Sequence, residues 1–403
     1  MVKRVSLSVA LAMALVWTLA AGPLAQASEL APVAVELPRQ EAGDPQTYTD
    51  ELLGLTVSLP EGWEAVSGSQ DYDLALVSPD ALSGGQGAFI TLLHIPGLGP
   101  DTTLESALEP LASQVEGSVA PVTAGANEGF GVRVADEANN SVQHLILFPY
   151  GEQGEVFYIQ AVTPADQEEA LLDILNSLEL NPPQPDYAAI DAAWQTSLAE
   201  NGRLVYGEAD APIELVEFYS FTCPHCANYS FPLNRLIALD VEDNGRVQVE
   251  LVPVAGDELA ARATHATYCA TEQGAGYSAY KTLFAASINA GREYAYSEEG
   301  IAELLGGLDA GLDMDALNAC IAESRYSAAI DEGRTRFTDY GLTGTPTVLL
   351  GTAEAEVQPL ILPDGQVWSG AIPVELLREI FTLITEQGVP LEDTISTLMN
   401  QGQ

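Results

Sequence analysis

Two cysteines stand two residues apart in Cys223-Pro224-His225-Cys226. Three kinds of chemistry fit that spacing: half of a metal site, a structural staple, or a dithiol that exchanges with other thiols. The pair closes the apolar run PIELVEFYSF, which reads as a buried strand, and the following PHCANYSFPLNRLIAL reads as a helix. Pro224 suits the first position of that helix, where a missing N–H costs nothing. The free N–H groups of the first turn and the helix dipole favour an anion, and a Cys223 thiolate is such an anion. His225 adds a donor or a positive charge beside it. Both effects lower the thiol pKa and make the thiolate a good leaving group. A stable reduced form makes the disulfide form a strong oxidant.

A zinc site needs about four ligands. The other cysteines, Cys269 and Cys320, each stand alone in a predicted helix. A purely structural bridge between Cys223 and Cys226 would close a tight, strained loop, which itself favours reactivity. Cys269 and Cys320 read best as a second disulfide, 320 − 269 = 51 positions apart. Closing a loop of that size stabilises by roughly 4 kcal/mol in the chain-entropy model. Two free buried thiols, or a metal pair of Cys269 with His265 four residues earlier, are the alternatives.

The elements that must position the dithiol follow from patterning. After its strand and helix come a second strand, RVQVELVPV, and a helix-rich block over about 257–339. Two closing strands, TPTVLLG and GQVWSG, and a last helix, PVELLREIFTLITEQG, complete the order. This is an α/β thioredoxin-like fold with a helical insertion. In such a fold the Thr345-Pro346 loop faces the dithiol with its peptide bond cis. It exposes the Thr345 backbone, to which an extended substrate can bond as an added strand.

A smaller α+β sandwich domain precedes this unit, over 48–180. GLTVSLPEGW, DLALVSP, GAFITLLHIP, FGVRVADEA, SVQHLILFPYG and EVFYIQAVTP read as strands of a mostly antiparallel sheet. TTLESALEPLASQVEG, capped by Thr102 or Thr103, and ADQEEALLDILNSLEL read as its helices. Its histidines, His94 and His144, lie in predicted strands and read as structural. Residues 181–200 begin Pro-rich and read as a linker; 389–403 reads as a tail.

The N-terminus reads as an export signal over 1–27. Lys3 and Arg4 start it, VSLSVALAMALVWTLAA is its apolar stretch, and Ala25-Gln26-Ala27 offers small residues for cleavage. Left uncleaved, the same stretch would serve as a membrane anchor. A flexible lead-in follows over 28–47. An exported protein lies where disulfides persist. The net charge of −44, from 58 acids and 14 bases, repels phosphate backbones and speaks against nucleic acid as a partner. Lys3 and Lys281 are the only lysines.

VEFYSFTCPHCANY closely resembles the active-site segment of DsbA, the bacterial extracytoplasmic thiol oxidase, over about 201–388. The resemblance implies that Cys223 attacks, Cys226 resolves, and Pro346 is the cis proline. It implies that Glu217, six residues before Cys223, is a buried acid that helps move the proton of the inner thiol; the plain alternative is an acid at a strand edge. It also implies exported substrates with free thiols, reoxidation by a membrane quinone-linked thiol oxidase of DsbB or VKOR type, and no cofactor or metal. Thr345 stands where some DsbA proteins have valine and where isomerase and reductase relatives have threonine. A reductase or isomerase therefore stays open, as does a client-binding protein whose dithiol is a sensor. The LTVSLPEGW opening and closing helix of 48–180 resemble the PsbP-like family of extracytoplasmic domains, which implies docking rather than catalysis.

Overall fold

The computed structural model describes residues 46–401 apart from 68–71, 100, 116, 152, 153, 363, 364 and 369. The export signal and nearly all of the lead-in lie outside the described residues. The chain divides into two compact units, one ending at Pro182 and one beginning at Pro183.

The elements of the first unit are, in order, β1 (Gln46–Asp50), β2 (Leu55–Leu59), β3 (Glu64–Ser67), β4 (Leu74–Val77), α1 (Pro79–Leu82), β5 (Phe89–Ile95), α2 (Leu104–Gln114), β6 (Val119–Ala124), β7 (Asn127–Asp136), β8 (Ser141–Pro149), β9 (Val156–Pro164), α3 (Glu168–Asn176) and β10 (Glu179–Leu180). Seven strands form one sheet in the order β3-β4-β5-β9-β8-β7-β6. All of its pairings are antiparallel. The small sheet β1-β2-β10 and α3 bury Leu55, Val57, Leu171 and Ile174 against one face, with Ile146, Phe148 and Phe157. Helix α2 buries Leu108 and Leu111 against the other, with Leu145, Leu147 and Tyr158. Cover on both faces explains why β9 is buried almost throughout, where a sheet open on one side would alternate. Thr103, not Thr102, caps α2, in a reciprocal capping box with Ser106. His94 and His144 pair with Glu155 and Glu168 at 2.7 and 2.9 Å.

The second unit begins with a helix where a linker is expected. Only the start of 181–200 is extended; Asp186 caps a helix, α4 (Tyr187–Asn201), in place of a linker. Trp194 on that helix is buried edge-on against Tyr277 and Tyr280, so α4 belongs to the domain it precedes. Then follow β11 (Val205–Tyr206), β12 (Ile213–Tyr219), α5 (Pro224–Leu236) and β13 (Val247–Pro253). The insertion holds α6 (Glu258–Glu272), α7 (Gly276–Ala286), α8 (Arg292–Ala295), α9 (Glu298–Gly306), α10 (Met314–Ala322) and α11 (Ser327–Asp339). Last come β14 (Thr347–Thr352), β15 (Gln358–Pro359), α12 (Val374–Thr385) and α13 (Thr394–Gln401). The second closing strand is therefore Gln358–Pro359, and among the described residues GQVWSG contributes a single bridge, from Val367 to Ile361. The C-terminal stretch is no loose tail: Leu391 and Ile395 are buried as it packs back.

The five-stranded sheet runs β11-β13-β12-β14-β15. β12 lies at its centre, parallel to β13 and antiparallel to β14. On one face Val216, Phe218, Val252 and Leu349 pack with Phe337 of α11. On the other, Tyr219 and the adjoining Phe221 meet Tyr280 and Phe284 of α7 in edge-on and tilted contacts. Cys269 on α6 and Cys320 on α10 are joined by a disulfide inside the insertion.

Asp191 of α4 ties that helix to the insertion. Its carboxylate accepts from the Tyr277 and Ser278 N–H groups at 2.6 and 3.3 Å and from the Ser278 hydroxyl at 2.6 Å. It thus caps α7, whose own Ala275 supplies no side-chain cap. An Asp191→Ala protein is expected to lose about 2 kcal/mol, read as a lower urea midpoint at unchanged slope. A midpoint within error of the parent would show that the cap contributes nothing.

Candidate active site

The geometry starts from β12. Six of its seven residues are buried, and the chain leaves it through Ser220-Phe221-Thr222 into α5. Cys223 is the N-cap residue, with extended backbone at φ −84 and ψ 116, and Pro224 is the first helical residue. The Ala227 N–H donates to the Cys223 carbonyl at 3.2 Å, which starts the helix.

The two sulfurs differ sharply in setting. Cys223 is partly exposed and Cys226 fully buried; both are thiols here. The Cys223 thiol donates to the Thr345 carbonyl at 3.1 Å, and the Thr345–Pro346 peptide bond is cis. The loop before β14 thus faces the dithiol across 122 residues of sequence. Sγ of Cys226 accepts from the Ser220 N–H at 3.4 Å.

The hydrogen-bonding groups around Cys223 lower its pKa to about 5. The largest cause is the hydrogen bond from the Cys226 thiol, followed among the lowering causes by the Cys226 N–H, the Thr345 side chain and the His225 N–H; partial burial opposes them. His225 therefore acts through its backbone amide, while its side chain is exposed. Burial pushes the Cys226 thiol strongly the other way, helped by the hydrogen bond to Cys223 and the charge of Glu217.

Glu217 is not at a strand edge. It sits on the central strand, opposite Leu251 on one side and Val348 on the other, and is fully buried. Neither carboxylate oxygen has a hydrogen-bond partner among the described residues. Burial raises its pKa to about 8, with Lys281 pulling it down and Cys223 pushing it up.

The sequence reading missed the groups that hold the turn before Cys223. Thr222 donates its hydroxyl to Asp257, the cap of α6, at 2.7 Å. Arg292 donates to the Thr222 carbonyl at 3.3 Å, and the Tyr296 hydroxyl to the Phe221 carbonyl at 2.8 Å. All three come from the insertion, and no local pattern announces them. Lys281 was also missed, though its rarity was a signal: it is the one lysine among the described residues. Cys269 lies in its disulfide, so the metal pairing with His265 lacks its thiolate. Among the described residues no cluster of His, Cys, Asp and Glu is arranged to hold a metal ion, and no helix is long and apolar enough to cross a membrane.

A family model described as thioredoxin matches residues 199–359. No curated protein matches the chain. Solved structures similar to it include a thioredoxin-like oxidoreductase from Silicibacter pomeroyi DSS-3, at 19% identity over 46% of this chain and 93% of that one, with a TM-score of 0.34. Chlamydia trachomatis DsbA is 19% identical over 49% of this chain and 91% of its own, with a TM-score of 0.35. Pseudomonas aeruginosa DsbA2 is 22% identical over 45% and 94%, with a TM-score of 0.33. The fold assignment rests on the family match and on the strand order given above: residues 199–359 are a thioredoxin-fold domain.

Proposed function

We propose, from the premise that residues 199–359 are a thioredoxin-fold domain, that this protein is an extracytoplasmic thiol:disulfide oxidoreductase of DsbA type that introduces disulfides into exported proteins. The observation that carries the reading is the asymmetry of the pair: a partly exposed Cys223 with its pKa lowered to about 5, against a buried Cys226 whose thiolate is disfavoured. A disulfide between such sulfurs is open to attack only at Cys223, and the stabilised Cys223 thiolate favours the reduced form, which makes the disulfide oxidising.

In the oxidised protein a substrate thiolate attacks Cys223 Sγ. The Cys223–Cys226 bond breaks, its electron pair goes to Cys226 Sγ, and that sulfur takes up a proton. Glu217 behind it, with a pKa of about 8, supplies that proton at neutral pH. The substrate lies along Thr345-Pro346 as an added strand, joined by a mixed disulfide. Its second thiolate attacks that bond and leaves as a disulfide, and Cys223 departs as thiolate. The substrate loses two electrons and the enzyme gains them. A membrane quinone-linked thiol oxidase, of DsbB or VKOR type, then reoxidises the dithiol, and no soluble cofactor or metal takes part.

The test is the redox equilibrium of the full chain against glutathione, with thiolate absorbance followed against pH. An oxidising potential with a half-titration near pH 5 is expected. A reducing potential with a thiol titrating near 9 would replace this reading by a reductase.

A further inference from the structure

We propose that the first unit binds a small amphipathic carboxylate in a cleft between α3 and the outer strands β6, β7 and β8, with Arg133 holding the anionic end. This function stands apart from the thiol exchange and does not depend on it.

The cleft follows from the residues at the edge of the sheet. Strand β6 ends the seven-stranded order. Val132 and Leu145 pack on the α2 side, so alternation turns Gly131 and Arg133 of β7, and His144 and Ile146 of β8, toward the α3 side. Gly131 pairs with Ala120 on one side and Ile146 on the other, and two such small neighbours leave the floor bare. A Cβ at position 131 would stand 2.8 Å from Cγ2 of Val122. Helix α3 buries Leu171, Ile174 and Leu175, but Ala120 stays exposed, Val122 is half-buried and Leu172 is 38% exposed. The result is a cleft of about 430 Å³ whose lining includes Ala120, Val122, Gly131, Ile146, Leu172 and Leu175. That size and that apolar lining suit a small molecule. Pro121, in the middle of β6, lacks the N–H that an added peptide strand would use, which favours a small ligand over an extended chain.

The charge at the cleft is unusual for this chain. Arg133 is the one arginine or lysine among the described residues of the first unit, and it lines the cleft together with His144. The two residues are opposite each other in the register, and both meet the Glu168 carboxylate. Arg133 donates to it from Nε and Nη2 at 2.6 and 2.7 Å, and His144 Nε2 lies 2.9 Å from it. Glu168 thus takes two N–H groups of the guanidinium and fixes it at the end of the cleft. The rest of that fork has no partner among the described residues. The arginine side chain is 53% exposed, and an ion pair so open to water adds little to stability. The acids that dominate the rest of this unit repel an anion, which leaves Arg133 as the place for one. The Glu168 charge also opposes it, so a bare carboxylate binds weakly and an apolar body must supply the remaining affinity by covering the open floor.

Titration calorimetry of the full chain tests this with octanoate, acetate and octanol. Octanoate is expected to bind at a single site per chain, and acetate and octanol at least about tenfold more weakly, since each keeps only one half of the recognition. Arg133→Gln should bring octanoate down to the level of octanol. Ala120→Leu places a larger side chain on the bare floor and should weaken octanoate by about tenfold or more. Octanoate should also raise the melting temperature of the parent protein and leave that of Ala120→Leu in place. No saturable binding of octanoate, octanol bound as tightly as octanoate, or octanoate bound equally well by Ala120→Leu would each overturn the proposal. If Arg133→Gln does not fold, Ala120→Leu, at an exposed edge position, decides by itself: lost binding supports the cleft and unchanged binding removes it.

Discussion

A Cys223→Ser protein is expected to oxidise reduced peptides no faster than buffer does, a loss on the order of a thousandfold or more. The hydroxyl cannot form the mixed disulfide, and no other thiol is available, since Cys226 is fully buried and Cys269 and Cys320 are joined. Cys226→Ser should behave differently. Cys223 keeps its exposure and its place beside Thr345, so it should still capture glutathione from its disulfide. Without the inner thiol that adduct should persist, visible as one glutathione in the intact mass. Full retention of activity by Cys223→Ser would instead make the dithiol a sensor on a client-binding protein. Equal behaviour of the two variants would contradict the asymmetry described above.

Acid should destabilise the reduced protein far more than the oxidised one. A cysteine whose folded pKa is depressed contributes stability that is fully present above its unfolded value of 9.0 and is lost as pH falls through its folded value, about 5 for Cys223. Between pH 8 and pH 4 the reduced form should lose about 2 kcal/mol relative to the oxidised form, a figure already lowered for solvent screening of a partly exposed sulfur. Glu217 works in the opposite sense. Its raised pKa contributes stability below about 4.5 that is lost as pH rises through about 8. Burial, the largest cause of that rise, acts in both redox forms and cancels in their comparison, whereas the smaller push from the Cys223 thiolate belongs to the reduced form alone, so the difference reads the thiolate together with its effect on Glu217. Urea unfolding of each form at several pH values makes the measurement, and parallel curves would sink the idea of a stabilised thiolate.

What the sequence made legible was set by local chemistry. Pro224 after Cys223 marks the helix start, and the strand-like run before it marks a buried strand, so the cap position of Cys223 could be read directly. Thr345-Pro346 became meaningful only through the order of elements around it. The region 181–200 was misread because its prolines end at Pro185, and Asp186 then caps a helix whose Ile190, Trp194 and Leu198 repeat every four residues. Its buried Asp191 disguised that face as polar. GQVWSG looked like a strand by composition, but Val367 has a partner only in Ile361, and both are about half exposed. Lys281 and the groups gripping Phe221 and Thr222 arrive from 35 to 75 positions away. Contacts of that range depend on how the insertion folds back, which no window of sequence contains.

The register of β12 has a consequence for how this chain tolerates change in length. Leu215, Glu217 and Tyr219 point to one side of the sheet; Val216 and Phe218 point to the other. A single residue inserted or deleted within the strand would exchange the two sides. The acid would then enter the apolar layer around Phe337, and a phenyl ring would stand behind the sulfur. Over Ile213–Tyr219, therefore, spacing is a stricter constraint than composition: a substitution can be absorbed by repacking, whereas a one-residue indel reverses the two faces.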